Sequence, residues 1–190
     1  MARSKTSKRG YERDLRSSVL NSLTPERHQE IRLSLLRENL RIPGELFEAG
    51  HDLRIWAGPG GSNGVGGVRR QMATGDLFAV ILGDEFIALS RIVAAFAVSP
   101  ETGREISTRL WQDRDYTEFW LLDHVVHINV WRREIAARLT DNADYFTKGK
   151  GALFSNQFQN LGKLPDEILA NAGGGEGFLE ALGASPDFFR

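Results

Sequence analysis

Two apolar runs separated by a short polar break form the clearest pattern in the chain. Residues 77–82 and 86–93 are rich in aliphatic and β-branched side chains, and Gly83-Asp84-Glu85 joins them. A Gly-Asp step between two such runs is typical of a tight turn. The pattern therefore predicts a β-hairpin at the centre of a sheet. Its second strand, which extends to Phe96, is expected to be buried on both faces.

The remaining periodicity predicts helices on both sides of this hairpin and two further strands. Thr24-Pro25-Glu26 is a strong helix start, with threonine as the N-cap, proline at the first helical position and an acid in the first turn. Residues 99–103, Ser-Pro-Glu-Thr-Gly, are interpreted as a loop. We expect strands at 51–56 and 124–130, and helices at 11–23, 24–42, 132–139, 165–172 and 178–182.

Short strands, long loops and interspersed helices favour an α+β fold around a mostly antiparallel, curved sheet or a partly open barrel flanked by helices. A length of 190 residues fits one domain with appended helices. We expect a basic arm and N-terminal helices in residues 1–50 and the main domain in 51–165. Residues 166–190 are expected to form a helix and a linker to an effector outside this chain.

Composition removes several classes of function. The chain has no cysteine, which excludes disulfides and thiolate chemistry. No apolar run reaches the roughly 18 residues of a membrane span, and no signal peptide opens the chain, so we expect a cytoplasmic protein without a membrane partner. A net charge of −1 gives no general argument for nucleic-acid binding. The basic residues before position 17 form either a phosphate-contacting arm or a solvated end.

Catalysis has no positive signal. The glycine-rich loop at 58–67 lacks the lysine and hydroxyl of a phosphate-binding loop and precedes a strand, so it forms either a rim over a pocket or a surface connection. His124 and His127 lie three apart on a predicted strand and face opposite sides, which argues against a metal pair. We therefore predict no catalytic residue, no metal and no cofactor.

The tryptophans carry the strongest functional signal. Trp56 and Trp111 lie beside polar, loop-like sequence, whereas Trp120 and Trp131 are expected in the core. Aromatic side chains can stack on a nucleobase, which contributes about 1–3 kcal/mol per base. Burial in the core remains open for Trp56 and Trp111, because each ring would bury a large apolar area there.

A resemblance to a known family rests on four stretches: residues 55–61, 69–93, 124–135 and 153–164. The order of tryptophan, loop, basic turn, Gly-Asp, strand, turn and strand is similar to the PUA-like superfamily, in particular to its EVE and YTH-like branches. The resemblance implies a small curved sheet flanked by helices. It also implies an aromatic pocket that takes one modified base, flipped out of DNA or read in RNA.

The resemblance also implies which residues form that site. By position, Trp56 and Trp111 match the first and second walls, and Trp120 or Leu122 falls near the third. Asp123 and Asn156 are the candidates for reading the edge of the base. The candidates for holding phosphates are Arg69, Arg70, Arg91, Arg132 and Arg133.

We therefore expect a binding module that reads a modified base in DNA, in the first place a methylated one, for a modification-dependent restriction system of the McrB type. The chain itself has no GTPase or nuclease motif, so the effector nuclease or GTPase would be another domain or subunit. One alternative is a reader of N6-methyladenine or structured RNA. A second is a small-molecule or nucleotide enzyme that uses the 58–67 loop with Asp123 or His124, and a third is an adaptor that docks a partner through residues 11–42.

Overall fold

The computed structural model describes residues 8–40, 42–48, 51–58, 72–112, 114–146, 158–160 and 166–185. Its five strands are β1 (Arg54–Gly58), β2 (Leu77–Leu82), β3 (Glu85–Ala97), β4 (Glu118–Trp131) and β5 (Phe158–Asn160). They form one sheet in the order β1-β4-β3-β2-β5, and the pairs β1–β4, β2–β3 and β2–β5 are antiparallel. With the helices, this sheet confirms the predicted α+β class.

Six α-helices accompany the sheet in the described part of the chain. The first continues directly into a π-helical turn, Arg16–Leu20, and a 3₁₀ turn covers Gly44–Phe47. None of the described helices has the length and apolar character needed to cross a bilayer. The helices are α1 (Lys8–Leu15), α2 (Pro25–Leu36), α3 (Pro100–Trp111), α4 (Arg132–Leu139), α5 (Asp166–Ala172) and α6 (Gly175–Ala181).

The predicted hairpin is confirmed. Leu82 pairs with Glu85, which leaves Gly83-Asp84 as a two-residue turn, and Gly83 has a φ of +65°. Glycine at the first central position with positive φ is what a type II′ turn requires. The register shifts between Val80 and Ile81, which pair with Ala88 and Phe86, so one residue of β3 bulges out.

Helix α2 begins where its sequence predicts, because the Thr24 side chain accepts a hydrogen bond from the backbone N–H of Arg27. The loop predicted at 99–103 is wrong. Ser99 is instead the N-cap of α3, and its hydroxyl accepts a hydrogen bond from the backbone N–H of Thr102 at 3.3 Å. Proline at the first helical position and Glu101 in the first turn complete the same start motif as in α2.

The chain forms two compact units, each assembled from separate segments. Unit 1 contains Met1–Gly66 and Ile92–His124, and unit 2 contains Gly67–Arg91 and Val125–Arg190. The domain boundaries expected at residues 51 and 166 stay predictions. In unit 1 the buried apolar side chains come from every described helix and strand, and include Leu15, Val19, Ile31, Leu35, Ile55, Ile106, Phe119 and Leu121.

Unit 2 has one continuous apolar core. It contains Phe86 and Phe146 in edge-to-face contact, with ring centroids 5.7 Å apart, and Phe146 also contacts Phe178 at 6.3 Å. Burial of large rings of this kind supplies much of the stabilisation of a small core. The other members are Leu77, Ala79, Ile81, Leu89, Ile135, Ala136, Leu139, Ile168, Leu179, Ala181, Leu182 and Ala184.

The start of α4 is tied to the hairpin turn within unit 2. The backbone N–H of Arg132 donates to the Asp84 carbonyl at 2.9 Å, and the guanidinium Nη2 donates to Asp84 Oδ1 at 2.7 Å. Nη1 of the same side chain donates to the Phe146 carbonyl at 3.1 Å. Because its side chain is buried and engaged on two sides, Arg132 holds the turn and the segment after α4 in place.

Candidate functional site

Strand β1 brings Trp56 into register with Trp120 of β4. Residues that pair directly across two antiparallel strands lie on the same face of the sheet, and residues two apart along a strand share that face. Leu122 pairs with Arg54 and therefore shares the face of Trp56 and Trp120. Three of the predicted wall residues are thus brought together on one face of the β1–β4 pair.

Trp111 contacts one of these residues, Trp56, from the last turn of α3. Its ring lies 5.8 Å from that of Trp56, edge to face, and 5.6 Å from that of Tyr116. The ring of Phe119 stacks nearly parallel to Trp111 at 6.4 Å. We call these four residues the aromatic cluster. The two predicted walls, which lie 55 positions apart in sequence, are therefore in direct contact.

The aromatic cluster is closed in this structure. Trp56 is 6% exposed and Trp111 is 2% exposed, and Trp120 and Leu122 are buried as well. The indole N–H of Trp111 already donates to the hydroxyl of Ser18 at 2.9 Å. The rings therefore act as core packing here, and a base can enter between them only if one ring moves.

A buried carboxylate holds the chain around Trp111. Asp14, 3% exposed, accepts from Arg114 Nε at 3.2 Å and Nη2 at 2.7 Å, and also from Arg13 Nη2 at 3.2 Å. Arg13 also donates to the carbonyl of Trp111 at 3.5 Å. These charge-assisted hydrogen bonds fix α1 against the segment that follows α3, and so stabilise the closed cluster.

Asp123, one of the two predicted edge-reading residues, lies elsewhere. Asp123 follows Leu122 in β4 and therefore belongs to the opposite face of the strand. Its Oδ1 lies 3.9 Å from Nε2 of His51, which is too long for a hydrogen bond. Asn156 lies outside the described residues, and so does most of the glycine-rich loop, residues 59–67.

The five arginines that were predicted to hold phosphates fall into three groups. Arg69 and Arg70 lie outside the described residues. Arg132 is buried in the hairpin contact of unit 2, where its guanidinium donates to the Phe146 carbonyl and to Asp84. Arg91 is half-buried, and Arg133 is exposed and forms an ion pair with Asp144 at 3.0 Å.

Sequence reasoning missed one candidate on the face of Trp56. Glu118 pairs with Gly58, shares the face of Trp120 two residues along, and is only 7% exposed. A carboxylate buried beside tryptophans is a natural acceptor for the amino group of a base. The signal was present in the sequence, where a single acid precedes Phe119 and Trp120.

The prediction that Trp131 is a core residue is wrong, because this side chain is 56% exposed. The half-buried Ile128 and Val130 pack on the core of unit 2, while His127, Asn129 and Trp131 alternate with them and are exposed. The alternation of side chains along a strand accounts for this, because Trp131 lies on the same strand face as His127 and Asn129 and not on the face of its apolar neighbours.

Among the described residues, no group of three or more histidine or acidic side chains is placed to hold a metal ion. His124 lies in β4, and its side chain is outside the described part of the chain. Comparisons with protein-family models, curated proteins and solved structures gave no significant match.

Proposed function

We propose that this chain is a nucleic-acid-binding module that reads a modified base in DNA, with a PUA-like fold of the EVE or YTH-like kind. The base is flipped from the duplex and held against the aromatic cluster. The observation that carries the proposal is the contact of Trp111 with Trp56, which shares one face of the sheet with Trp120 and with the buried carboxylate of Glu118.

The chemistry of the cluster suits a flat, amino-bearing ligand. Rings of Trp and Phe stack on a base, which contributes about 1–3 kcal/mol, and this gain offsets the few kcal/mol that base flipping costs. The carboxylate of Glu118 accepts a hydrogen bond from an exocyclic amino group such as that of cytosine or adenine. In this proposal Glu118 takes the edge-reading role that the sequence suggested for Asp123.

The proposal places the effector outside this chain. A reader of this kind supplies targeting to a modification-dependent restriction system, and the nuclease or GTPase acts from another domain or subunit. The alternative ligand with the same fold and chemistry is RNA that carries N6-methyladenine, and one experiment separates the two.

That experiment is fluorescence-anisotropy binding at one fixed salt concentration. The panel contains matched duplexes with 5-methylcytosine, 5-hydroxymethylcytosine, N6-methyladenine or no modification, and an RNA with N6-methyladenine. We expect a preference for one modified DNA. A preference for the RNA would favour the alternative, and equal, salt-sensitive binding to all five would refute a pocket reader.

Matched tryptophan variants locate the pocket. Trp56→Leu removes one stacking face, so affinity for the preferred ligand should fall by about 5- to 150-fold while binding of unmodified duplex is unchanged. Trp131→Leu makes the same chemical change at an exposed position and should leave discrimination intact. Glu118→Gln should lower the discrimination between modified and unmodified DNA, although it leaves the aromatic rings unchanged. If a folded Trp56→Leu discriminates as the unmodified protein does, the pocket assignment is incorrect.

A further inference from the structure

The outer side of α1 and of the π-helical turn that follows it carries an open groove, which we call the α1 groove. Its volume is about 480 Å³, and it is lined by Glu12, Arg13, Arg16, Ser17 and Asn21. The side chain of Arg13 is 61% exposed and that of Arg16 is 62% exposed. The groove thus presents two solvent-accessible guanidinium groups, from a segment whose basic residues the sequence assigns either to phosphate contacts or to a solvated end.

The inner side of the same helical segment packs around Trp111. Asp14 and Ser18 are buried there, and the Ser18 hydroxyl accepts the hydrogen bond from the Trp111 indole N–H. From the groove, Arg13 Nη2 also reaches the Trp111 carbonyl at 3.5 Å. The α1 groove and one wall of the aromatic cluster therefore lie on opposite sides of a single helical segment, whose diameter with side chains is about 10–12 Å.

Both arginines of the groove keep donors that the protein does not use. Arg13 donates through Nε and Nη2 to Asp14 Oδ1, and Arg16 donates through Nε and Nη2 to Glu12 Oε1. In the described part of the chain, neither guanidinium uses its Nη1 atom in a hydrogen bond. Guanidinium is a preferred partner of phosphate, because its planar donors match the phosphate oxygens. The α1 groove therefore offers two phosphate-binding groups about one helical turn apart.

Glu12 also lines the groove and competes with any anion for Arg16. Its carboxylate lies 3.0 Å from Arg16 Nη2, in an ion pair whose two side chains are both accessible to solvent. Exposed pairs of this kind contribute little stability, so a phosphate can displace Glu12 from Arg16. Asp14, the other acid of α1, is buried and is shared between Arg13 and Arg114. Three arginines therefore face two acids around this segment.

The charge of the N-terminal segment favours the same kind of partner. Residues 1–16 contain six basic and two acidic side chains, whereas the whole chain has a net charge of −1. A local excess of positive charge attracts the DNA backbone even where the protein as a whole is nearly neutral.

We propose that the α1 groove holds the DNA backbone beside the flipped base, with Arg13 and Arg16 donating to phosphate oxygens. The inference rests on the proposed reader function and names residues that position the duplex at the aromatic cluster. Neither arginine is among the five that the sequence predicted for this role. Phosphate contacts carry no sequence information, so the α1 groove supplies affinity and orientation while the aromatic cluster supplies discrimination.

The test is the salt dependence of DNA binding by the full chain, measured by fluorescence anisotropy between about 50 and 200 mM salt. Arg16→Gln removes one phosphate contact, so the slope of log K against log[salt] should become shallower by about 0.9. The affinity that this variant loses should therefore shrink by about 3- to 4-fold across this range, equally for modified and unmodified duplexes. Arg104→Gln is the matched control and should leave the slope unchanged, because Arg104 is similarly exposed, pairs with one acid, Asp115, and belongs to the same unit.

Glu12→Gln tests the same groove with the opposite sign. It removes the carboxylate that competes for Arg16, so binding of every duplex should tighten by about 1.5- to 5-fold. Asp115→Asn makes the equivalent change beside Arg104 and should leave the affinity unchanged.

Three results would overturn the proposal: a slope in Arg16→Gln equal to that in Arg104→Gln, a changed ratio of affinities for modified and unmodified DNA in Arg16→Gln, or a slope that changes with the RNA and with none of the duplexes. The slope is measured on unmodified duplex alone, so it reports on the α1 groove even where the panel shows no discrimination. Conversely, a protein that discriminates normally but keeps its slope in Arg16→Gln retains the reader function and loses this inference. Absence of any DNA binding would overturn both.

Discussion

Ser18 binds the indole N–H of Trp111 and so limits how this side chain can contact a ligand. Its hydroxyl accepts from the indole N–H of Trp111 at 2.9 Å and donates to the Asp14 carbonyl at 3.0 Å, and Ser18 is fully buried. Ser18→Ala removes one oxygen and leaves the indole N–H without a partner where water has no access. The free energy of unfolding should therefore fall by about 1–3 kcal/mol.

A double-mutant cycle isolates this contact. Trp111→Phe removes the N–H but keeps an aromatic ring, so Ser18→Ala should cost less in that background, with a coupling of about 1 kcal/mol. Ser17→Ala is the matched control: its hydroxyl donates to the same Asp14 carbonyl at 2.9 Å without an indole contact among its hydrogen bonds. It should cost no more than about 0.5–1.5 kcal/mol and show no coupling to Trp111.

Urea unfolding followed by far-UV circular dichroism at pH 7 measures all five variants. If Ser18→Ala costs no more than Ser17→Ala, and the cycle is additive within about 0.5 kcal/mol, Ser18 does not orient Trp111 and the reasoning fails. The result also bears on recognition. An indole N–H that is already bonded leaves only the ring of Trp111 for a ligand, so Trp111→Phe should retain much of the discrimination between modified and unmodified DNA.

Three further predictions address stability. Arg132→Met should cost about 1–3 kcal/mol in urea unfolding because it strands a buried carbonyl, whereas Arg133→Met, at an exposed ion pair, should stay within about 0.5 kcal/mol. Gly103→Ala should lower the free energy of unfolding by at least about 1–3 kcal/mol in the same assay, because its Cβ would lie 2.2 Å from a backbone oxygen. Gly44→Ala is the control, because a Cβ at Gly44 would meet no atom within 4 Å and should not destabilise the protein in this way. The free energy of unfolding should fall as pH drops below about 6.5, because the unfolded chain protonates His28 at its ordinary pKa before the folded chain does. Urea unfolding at pH 7.5 and 5.5 measures this difference, and His28→Phe should make it smaller.

Local sequence was sufficient to predict a turn or a helix start where the interaction that determines it is also local. The Gly83-Asp84 turn and the Thr24-Pro25 start of α2 depend on residues within a few positions, and both were predicted. Helix α3 has an equally good start at Ser99, but Gly103 in its first turns favoured a loop. That glycine is explained only by the fold, since the Tyr116 carbonyl occupies the place of a Cβ.

The candidate site shows the same division. The meeting of Trp56 with Trp111 was expected from a resemblance in order and spacing, and the structure places the two rings in contact. Their closure was not predictable, because it depends on Ser18, which lies 93 positions from Trp111. The burial of His28 was not predicted for a similar reason: a single histidine on a helix has no signature in the sequence until the fold encloses it.

The aromatic cluster must open before a ligand can bind between its rings. A base reaches Trp56 and Trp111 only after a ring leaves a closed, hydrogen-bonded cluster, so part of the stacking energy is spent on opening it. Binding that requires such a change associates more slowly than the usual 10⁵–10⁷ M⁻¹s⁻¹, and its rate should rise in Ser18→Ala, which loosens Trp111. Ser17→Ala leaves the indole N–H of Trp111 bonded to Ser18, so it should leave this association rate unchanged. A faster association rate in Ser18→Ala, with an unchanged rate in Ser17→Ala, would therefore show that access to the aromatic cluster is gated by the hydrogen bond between Ser18 and Trp111.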